Sequence, residues 1–166
     1  PKCGRFGRTC APELVRRIAA GGHELASHTW SHPRISRLSP AQFREELRSS
    51  KAILEDISGT RVAGFRAPSF SIRPGMEWAF DTLLEQGYEY DSSLFPIRRP
   101  DYGYPSAPTV PHRITRGDRT LREFPLATAS FFGARIPAAG GAYLRHFPLW
   151  VIRRAFATAE AAGSPA

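Results

Sequence analysis

Segments with a strand pattern alternate with segments with a helix pattern along most of this chain, and glycines separate many of them. The strand-like segments lie at residues 23–28, 62–65 and 88–91, and the helix-like segments lie at residues 12–20, 40–58 and 75–86. Repeated strand–helix units predict a parallel sheet with helices outside it, so the fold class is α/β, either an open sheet or a barrel. Residues that directly follow the strands are then the candidates for function.

The helix pattern is clearest at residues 40–58. Ser39 is suited to the N-cap position, Pro40 to the first turn, and Gln42 completes a capping box with Ser39. Gly59 can adopt the left-handed conformation that commonly ends a helix. The apolar side chains share one face of this helix: Phe43, Leu47, Leu54 and Ile57.

The second half of the chain has a weaker pattern. Five prolines between residues 95 and 120 predict a long irregular loop, which is the kind of loop that often carries function. A strand interrupted by Pro125 is predicted at residues 121–127, and a terminal helix is predicted at residues 148–162. Gly140 and Gly141 form either a turn that lines a groove or a plain entry to this helix, and the sequence does not decide between them.

Composition limits the class of protein. A chain of 166 residues that is 42% hydrophobic can bury the core of one globular domain. No run of about 18 apolar residues is present, so no membrane-spanning segment is predicted. The net charge of +8 would suit a protein that binds nucleic acid, but the arginines are scattered along the chain. A solvated surface, or binding to an anionic polysaccharide, explains the charge equally well. Cys3 and Cys10 could form one disulfide, which leaves the redox compartment open.

Two histidines stand four positions apart directly after the first strand, in the sequence His28-Thr29-Trp30-Ser31-His32. Their imidazoles can bind one zinc ion if the backbone makes a helical turn, because neutral imidazole nitrogen is a preferred zinc ligand. Two surface histidines in a polar loop would give the same short and common spacing. Arg66 and Asp91 also follow predicted strands, and this shared position at one edge of the sheet favours the metal-site interpretation.

Three ordered motifs carry a resemblance to a known family: Ser27-His28-Thr29-Trp30-Ser31-His32-Pro33, Arg66-Ala67-Pro68-Ser69-Phe70-Ser71 and Tyr90-Asp91-Ser92-Ser93. From about Pro12 to Gly163 the chain resembles the polysaccharide deacetylases (carbohydrate esterase family 4), and most closely the subgroup linked to bacterial exopolysaccharide production. The resemblance implies a distorted (β/α) barrel. It also implies a hydrolase that removes acetyl groups from sugars with a divalent metal, usually zinc.

The same resemblance implies roles for single residues. His28 and His32 match the two histidine ligands of the metal, and Arg66 matches the arginine that orients the catalytic base. Asp91 matches the region where an aspartate supports the catalytic acid, although the usual tryptophan does not follow it. A surface charge at a strand end is the alternative for Arg66, but the Arg-x-Pro context favours the functional role. For Asp91, a plain turn residue explains the sequence equally well.

Aromatic side chains are the candidates for substrate binding, because they can stack on sugar rings. The candidates for this role are Trp30, Phe70 and Tyr143. Packing in the core explains Phe70 nearly as well. The expected partner is a polysaccharide or oligosaccharide, while the sugar and the oligomeric state stay open, as does the choice between the cell envelope and the cytoplasm of a bacterium.

The expected chemistry needs more groups than these motifs supply. A bound metal lowers the pKa of a water molecule to about 7 and polarises the acetyl carbonyl, and the metal and a backbone N–H stabilise the oxyanion. In the family, the third metal ligand and the base come from an aspartate-rich strand end, and the acid is a histidine on the last strand. Residues 1–10 contain no acid, and the sequence ends before a further strand.

We therefore expect an atypical stretch at residues 1–10 and a partial deacetylase domain at residues 11–166. This domain would be an incomplete barrel without the first and last motifs and without the third metal ligand. The expected function is a truncated deacetylase that is weakly active or inactive. The alternatives are a non-catalytic carbohydrate-binding remnant and, less favoured, a basic nucleic-acid-binding domain, for which no recognition motif is present.

Overall fold

A computed structural model describes residues 11–131, 134–139 and 141–161 of the chain. The helices are α1 (Pro12–Ala20), α2 (Pro40–Ser58), α3 (Trp78–Glu85), α4 (Gly141–His146) and α5 (Leu149–Ala161). The strands are β1 (Ala26–Ser27), β2 (Gly64–Phe65), β3 (Tyr90–Asp91), β4 (His112–Arg116), β5 (Arg119–Glu123), β6 (Thr128–Phe131) and β7 (Ala134–Pro137). The predicted stretch 1–10, with Cys3 and Cys10, lies outside the described residues, as does Gly140.

Five of the strands form one sheet in the order β1-β2-β3-β5-β4. The strands β1, β2, β3 and β5 run parallel, and β4 pairs antiparallel with β5. The predicted α/β fold with a parallel sheet is therefore confirmed. Over the described residues the sheet stays open, with β1 and β4 as its edges, and β6 and β7 form a separate two-stranded sheet.

The best-defined predicted helix is present with the predicted ends. The Ser39 hydroxyl accepts from the N–H of Gln42, and the Gln42 side chain accepts from the N–H of Ser39, which completes the capping box. Gly59 ends α2 in the left-handed conformation, with a φ of 67°. α1 has its predicted bounds, while α3 is shorter than predicted, beginning at Trp78.

The prediction of an irregular loop up to residue 120 is wrong over its second part. Residues 112–123 form a hairpin of β4 and β5, in which Arg116 pairs with Arg119 across the two-residue turn Gly117-Asp118. A two-residue turn with this composition between alternating apolar residues is typical of a hairpin. The antiparallel pairing of β6 with β7 was also missed. Gly141 and Tyr143 belong to α4, a short helix that was not predicted and that precedes the terminal helix α5.

The main core lies between the sheet and the helices α2 and α3. Phe43 of α2 contacts the ring of Phe65 of β2 edge to face, at 5.6 Å between ring centroids. Leu47, also on α2, is fully buried, and its carbonyl oxygen accepts from the Tyr88 hydroxyl at 3.2 Å. Each fully buried side chain of this size stabilises the fold by about 1.5–3 kcal/mol. Among the described residues, no helix has the length and apolar character needed to cross a bilayer.

Candidate active site

The residues predicted from the sequence lie at the carboxyl edge of the parallel sheet. The last residues of the four parallel strands form one row across the sheet: Ser27, Phe65, Asp91 and Glu123. The chain leaves each strand at this edge, so the next residues are neighbours there: His28, Arg66, Ser92 and Phe124. This edge is where α/β proteins usually hold their functional groups.

The imidazoles of His28 and His32 lie side by side after β1. Their ring centroids are 4.9 Å apart and the ring planes are inclined by 65°. The backbone between them is not the helical turn that the spacing suggested, because Thr29 and His32 both have positive φ values, of 63° and 62°. A tight irregular loop therefore brings the two rings together.

Contacts within the loop and with α2 hold this unusual backbone. The Thr29 hydroxyl donates to the carbonyl oxygen of His28 at 2.6 Å and accepts from the N–H of His32 at 3.1 Å. Ser31 donates from its N–H and from its hydroxyl to the two carboxylate oxygens of Glu46, at 2.7 and 2.6 Å. Positive φ values in residues other than glycine are costly, and they cluster at functional sites where surrounding contacts enforce them.

A hydrogen bond to the residue that follows β2 determines the tautomer of His28. Its Nδ1 lies 2.5 Å from the carbonyl oxygen of Arg66, which can only accept, so Nδ1 must carry the proton. The neutral ring then presents Nε2 as its lone-pair nitrogen, which is the arrangement that metal-binding histidines commonly adopt. The two imidazoles are thus suitable as part of the ligand set of a divalent metal. Among the described residues, no group of three or more His, Cys, Asp or Glu side chains could hold one.

Arg66 bridges the ends of β2 and β3. Its Nε donates to the carbonyl oxygen of Ser92 at 3.0 Å, and its Nη2 donates to the Ser92 hydroxyl at 2.7 Å. That hydroxyl donates in turn to the carbonyl oxygen of Phe124, at the end of β5. The side chain remains exposed, so its charge faces solvent at the same edge as the histidines.

Asp91 lies under this edge and is fully buried. Its Oδ1 accepts from the N–H of Ser92 at 2.8 Å and from the Ser93 hydroxyl at 2.5 Å. Burial raises the pKa of this carboxyl to about 6, although these hydrogen bonds and the charge of Arg66 act to lower it. Asp91 has no exposed surface. It can therefore fill its predicted role, support of the catalytic acid, only by positioning other residues.

Glu123 is a buried acid that sequence reasoning missed. It is the register partner of Asp91 on the neighbouring strand, and its Oε1 accepts from the N–H of Leu94 at 2.9 Å. Burial, and then the charge of Asp91, raise the pKa of Glu123 well above its usual value. The sequence signal for Glu123 was weak, because it is a single acid two residues before Pro125. Its partner Asp91 is also distant in sequence.

The three predicted substrate-binding aromatics lie in different surroundings. Trp30 is partly exposed and lines a groove of about 230 Å³ with His28, Thr29 and apolar residues of α1 and α2. Phe70 packs edge to face on buried Phe95, at 5.4 Å between centroids, so it belongs largely to a core cluster. Tyr143 packs on the same Phe95, and its hydroxyl contacts that of Tyr102.

Comparison with known families covers almost the whole chain in two parts. Residues 3–83 match the family model described as polysaccharide deacetylase. Over this segment, which is just under half of the chain, the sequence is thus similar to the polysaccharide deacetylases. Residues 92–166 match a family described as a domain of unknown function, DUF3473. β3 lies between the two matched segments and pairs with a strand of each, so both segments contribute to one sheet.

Curated relatives of this chain are named as deacetylases of different polymers. The chitooligosaccharide deacetylase of a Bradyrhizobium species is 45% identical over 58 residues, which is 34% of this chain and 26% of that protein. The peptidoglycan-N-acetylmuramic acid deacetylase PdaC of Bacillus subtilis is 37% identical over 103 residues, which is 62% of this chain and 20% of that protein. The matched part of the chain thus spans about a quarter or less of these relatives.

Solved structures show the same fold. A crystal structure from Mycobacterium smegmatis, described as a polysaccharide deacetylase, matches with a TM-score of 0.56 and 29% identity over 70% of this chain and 36% of that one. The PuuE allantoinase matches with a TM-score of 0.53 and 21% identity over 70% of this chain and 34% of that one. The second likeness shows the fold alone, and one fold can carry different chemistries.

Proposed function

We propose that this chain supplies part of the active site of a metal-dependent hydrolase that removes acetyl groups from the sugars of a polysaccharide. The observation that carries the proposal is the His28–His32 pair, with centroids 4.9 Å apart beside Arg66 at the carboxyl edge of the sheet. Surface histidines in a polar loop would not need a backbone held in two positive φ conformations, nor a ring nitrogen fixed by Arg66. The deacetylase relatives give independent support.

His28 and His32 would hold the metal through their ring nitrogens. Zinc or another divalent metal, when bound, would supply an acidic water and polarise the acetyl carbonyl. Arg66 would orient the group that takes the proton from that water, since its guanidinium is fixed on Ser92 at the same edge. Trp30, which is partly exposed next to His28, would provide an apolar face for a sugar ring.

The described residues supply only part of this machinery. Catalytic zinc sites usually have three protein ligands and one water, and two imidazoles are present here. The third ligand, the base and the acid would come from outside the described residues. General acid and base groups each contribute about 10²–10⁴-fold to a rate, so we expect the 166-residue chain to hydrolyse acetyl groups weakly or not at all.

The substrate class that we propose is an N-acetylated polysaccharide, with bacterial exopolysaccharide as the specific candidate. The named relatives act on chitooligosaccharides and on peptidoglycan, which both carry acetylated amino sugars. The net charge of +8 would also favour binding to an anionic polymer.

Acetate release from acetylated chitooligosaccharides, with added Zn²⁺, tests the proposal. The protein should contain residues 11–161 together with the third ligand, the base and the acid. We expect His28→Ala and His32→Ala to abolish release. His23→Ala is the matched control, because His23 is exposed and precedes β1 at the opposite edge of the sheet, and it should leave the rate unchanged. Hydrolysis that survives both site substitutions would contradict the proposal, and sugar binding without any hydrolysis would favour a carbohydrate-binding remnant.

A further inference from the structure

Glu123, at the end of β5, lies beside Asp91 of β3 in the interior of the sheet. Asp91 and Glu123 are register partners on adjacent parallel strands, and both are fully buried. Each uses one carboxyl oxygen to accept from the chain that leaves β3: Asp91 from Ser92 and Ser93, and Glu123 from Leu94. The other oxygens, Oδ2 of Asp91 and Oε2 of Glu123, accept no hydrogen bond from the described residues.

Two ionised carboxylates in this arrangement would be strongly unfavourable. Their charges would repel each other away from water, and two buried acceptor atoms would remain unsatisfied. A single proton removes both problems, because the protonated carboxyl can then donate to the ionised one, as in other pairs of close carboxylates. The charged group that acts on both is Arg66, whose attraction favours keeping one negative charge on the pair.

We propose that Asp91 and Glu123 share one proton at neutral pH and together position the loop on which Arg66 is held. The mechanical link is a chain of hydrogen bonds. Asp91 accepts from the Ser93 hydroxyl, and that hydroxyl accepts from the N–H of Ala67 at 2.8 Å, directly after Arg66. Leu94 is fixed by Glu123 on the other side.

This inference gives a role to part of the DUF3473 segment. Glu123 lies in residues 92–166, whereas Arg66 lies in residues 3–83 and Asp91 lies between the two matched segments. Glu123 of β5 thus helps to position Arg66, which lies at the sheet edge in residues 3–83. The inference does not depend on the proposed deacetylase activity, since proton sharing and loop positioning can be measured without substrate.

Infrared spectroscopy of the full 166-residue chain with ¹³C-labelled glutamate and aspartate tests the shared proton directly. We expect one protonated-carboxyl band at pH 7 in the wild type, and its loss in Glu123→Gln. Glu89 is only half-buried and pairs with Arg61 and Arg122, so it gives the matched control, and Glu89→Gln should keep the band. A wild-type spectrum without this band at pH 7 would overturn the proposal, whatever the variants do.

Rescue by an amide tests the positioning role. Glu123→Gln can still accept from Leu94 and can donate a fixed N–H to Asp91, so we expect its Tm to stay close to that of the wild type. Glu123→Ala leaves Asp91 and the Leu94 N–H without their partner, and should lower Tm by roughly 5–10 °C. The backbone amide signals of Arg66 and Ala67 in NMR spectra should shift in Glu123→Ala and not in Glu123→Gln. Equal damage from both substitutions, or unshifted Arg66 and Ala67 signals in Glu123→Ala, would show that the pair does not position this loop.

Discussion

Arg66 donates two hydrogen bonds to Ser92, one from Nε to the backbone oxygen at 3.0 Å and one from Nη2 to the hydroxyl at 2.7 Å. Two donors of one planar group are thus fixed on one residue, which sets the direction of the guanidinium at the sheet edge. A side chain that only capped a strand with charge would not need this geometry.

Arg66→Lys should therefore reduce catalysis although it keeps the charge. Lysine is a flexible point charge that cannot reproduce the two-point contact with Ser92. In the protein that also contains the third ligand, the base and the acid, we expect Arg66→Ala and Arg66→Lys to lower kcat/KM. Arg66→Ala should lose roughly 10²-fold, because small misplacements of catalytic groups have effects of this size. Thermal unfolding should change little, since the side chain is exposed. A lysine variant with wild-type kcat/KM would show that only the charge matters.

Zinc binding should depend on both histidines. The candidate site offers the two imidazoles of His28 and His32, so we expect weak binding of Zn²⁺ in calorimetry, with water filling the remaining positions. His28→Ala and His32→Ala should each abolish this binding, whereas His23→Ala should not. Tight stoichiometric binding that persists in the His28→Ala variant would place the metal elsewhere.

Gly64→Ala should destabilise the sheet, because the ring of Tyr90 lies across Gly64. A Cβ at this position would come within 2.0 Å of the Tyr90 ring. The ring would have to move, and its hydrogen bond to Glu24 at 2.8 Å would be lost. We expect the free energy of unfolding to fall by about 1–3 kcal/mol in urea titration.

Gly141→Ala is the control for this substitution. A Cβ at Gly141, the first residue of α4, meets no atom of the described residues within 4 Å. We expect it to be neutral or to stabilise the chain by less than about 1 kcal/mol. Similar losses in the two variants would mean that crowding against Tyr90 is not the cause.

The Asp91–Glu123 pair should make the chain less stable as pH rises. Both pKa values are raised by burial above the usual 3.8 and 4.5, so the folded state binds a proton that the unfolded state has released. The stability that this proton gives is complete below about pH 4 and is lost progressively as pH rises through neutrality. In Glu123→Gln this part of the pH dependence should be smaller. Urea unfolding of both proteins between pH 5 and 8 gives the comparison, and identical slopes would contradict the shared proton.

Ser39→Ala should weaken the start of α2. The substitution removes the hydroxyl that accepts from the N–H of Gln42, and such N-cap losses cost about 1 kcal/mol. Gln42→Ala removes the other half of the capping box and should cost less, because it leaves the hydroxyl in place. Urea unfolding measures both, and no loss in Ser39→Ala would mean that packing alone fixes this helix end.

Local signals in the sequence were sufficient for several elements. Ser39, Gln42 and Gly59 defined the ends of α2, because capping depends on neighbouring residues. The strand–helix order placed His28 and Arg66 at one edge of a parallel sheet before any contact was known. The β4–β5 hairpin was overlooked although Gly117-Asp118 is a local signal, since the five nearby prolines dominated the interpretation of that region.

Other features depend on residues that are far apart in the chain. The loop between His28 and His32 is not helical, because Glu46 of α2 and the carbonyl oxygen of Arg66 hold it in another shape. Glu123 is an unremarkable acid in its own strand, and only the register of β3 with β5 places it against Asp91. The sequence by itself determined the ends of β2 and β3 and the bounds of α1 and α2, since those depend on local pattern. The tertiary structure alone decided which side chains face one another, because pairing register and burial arise only when distant segments pack together.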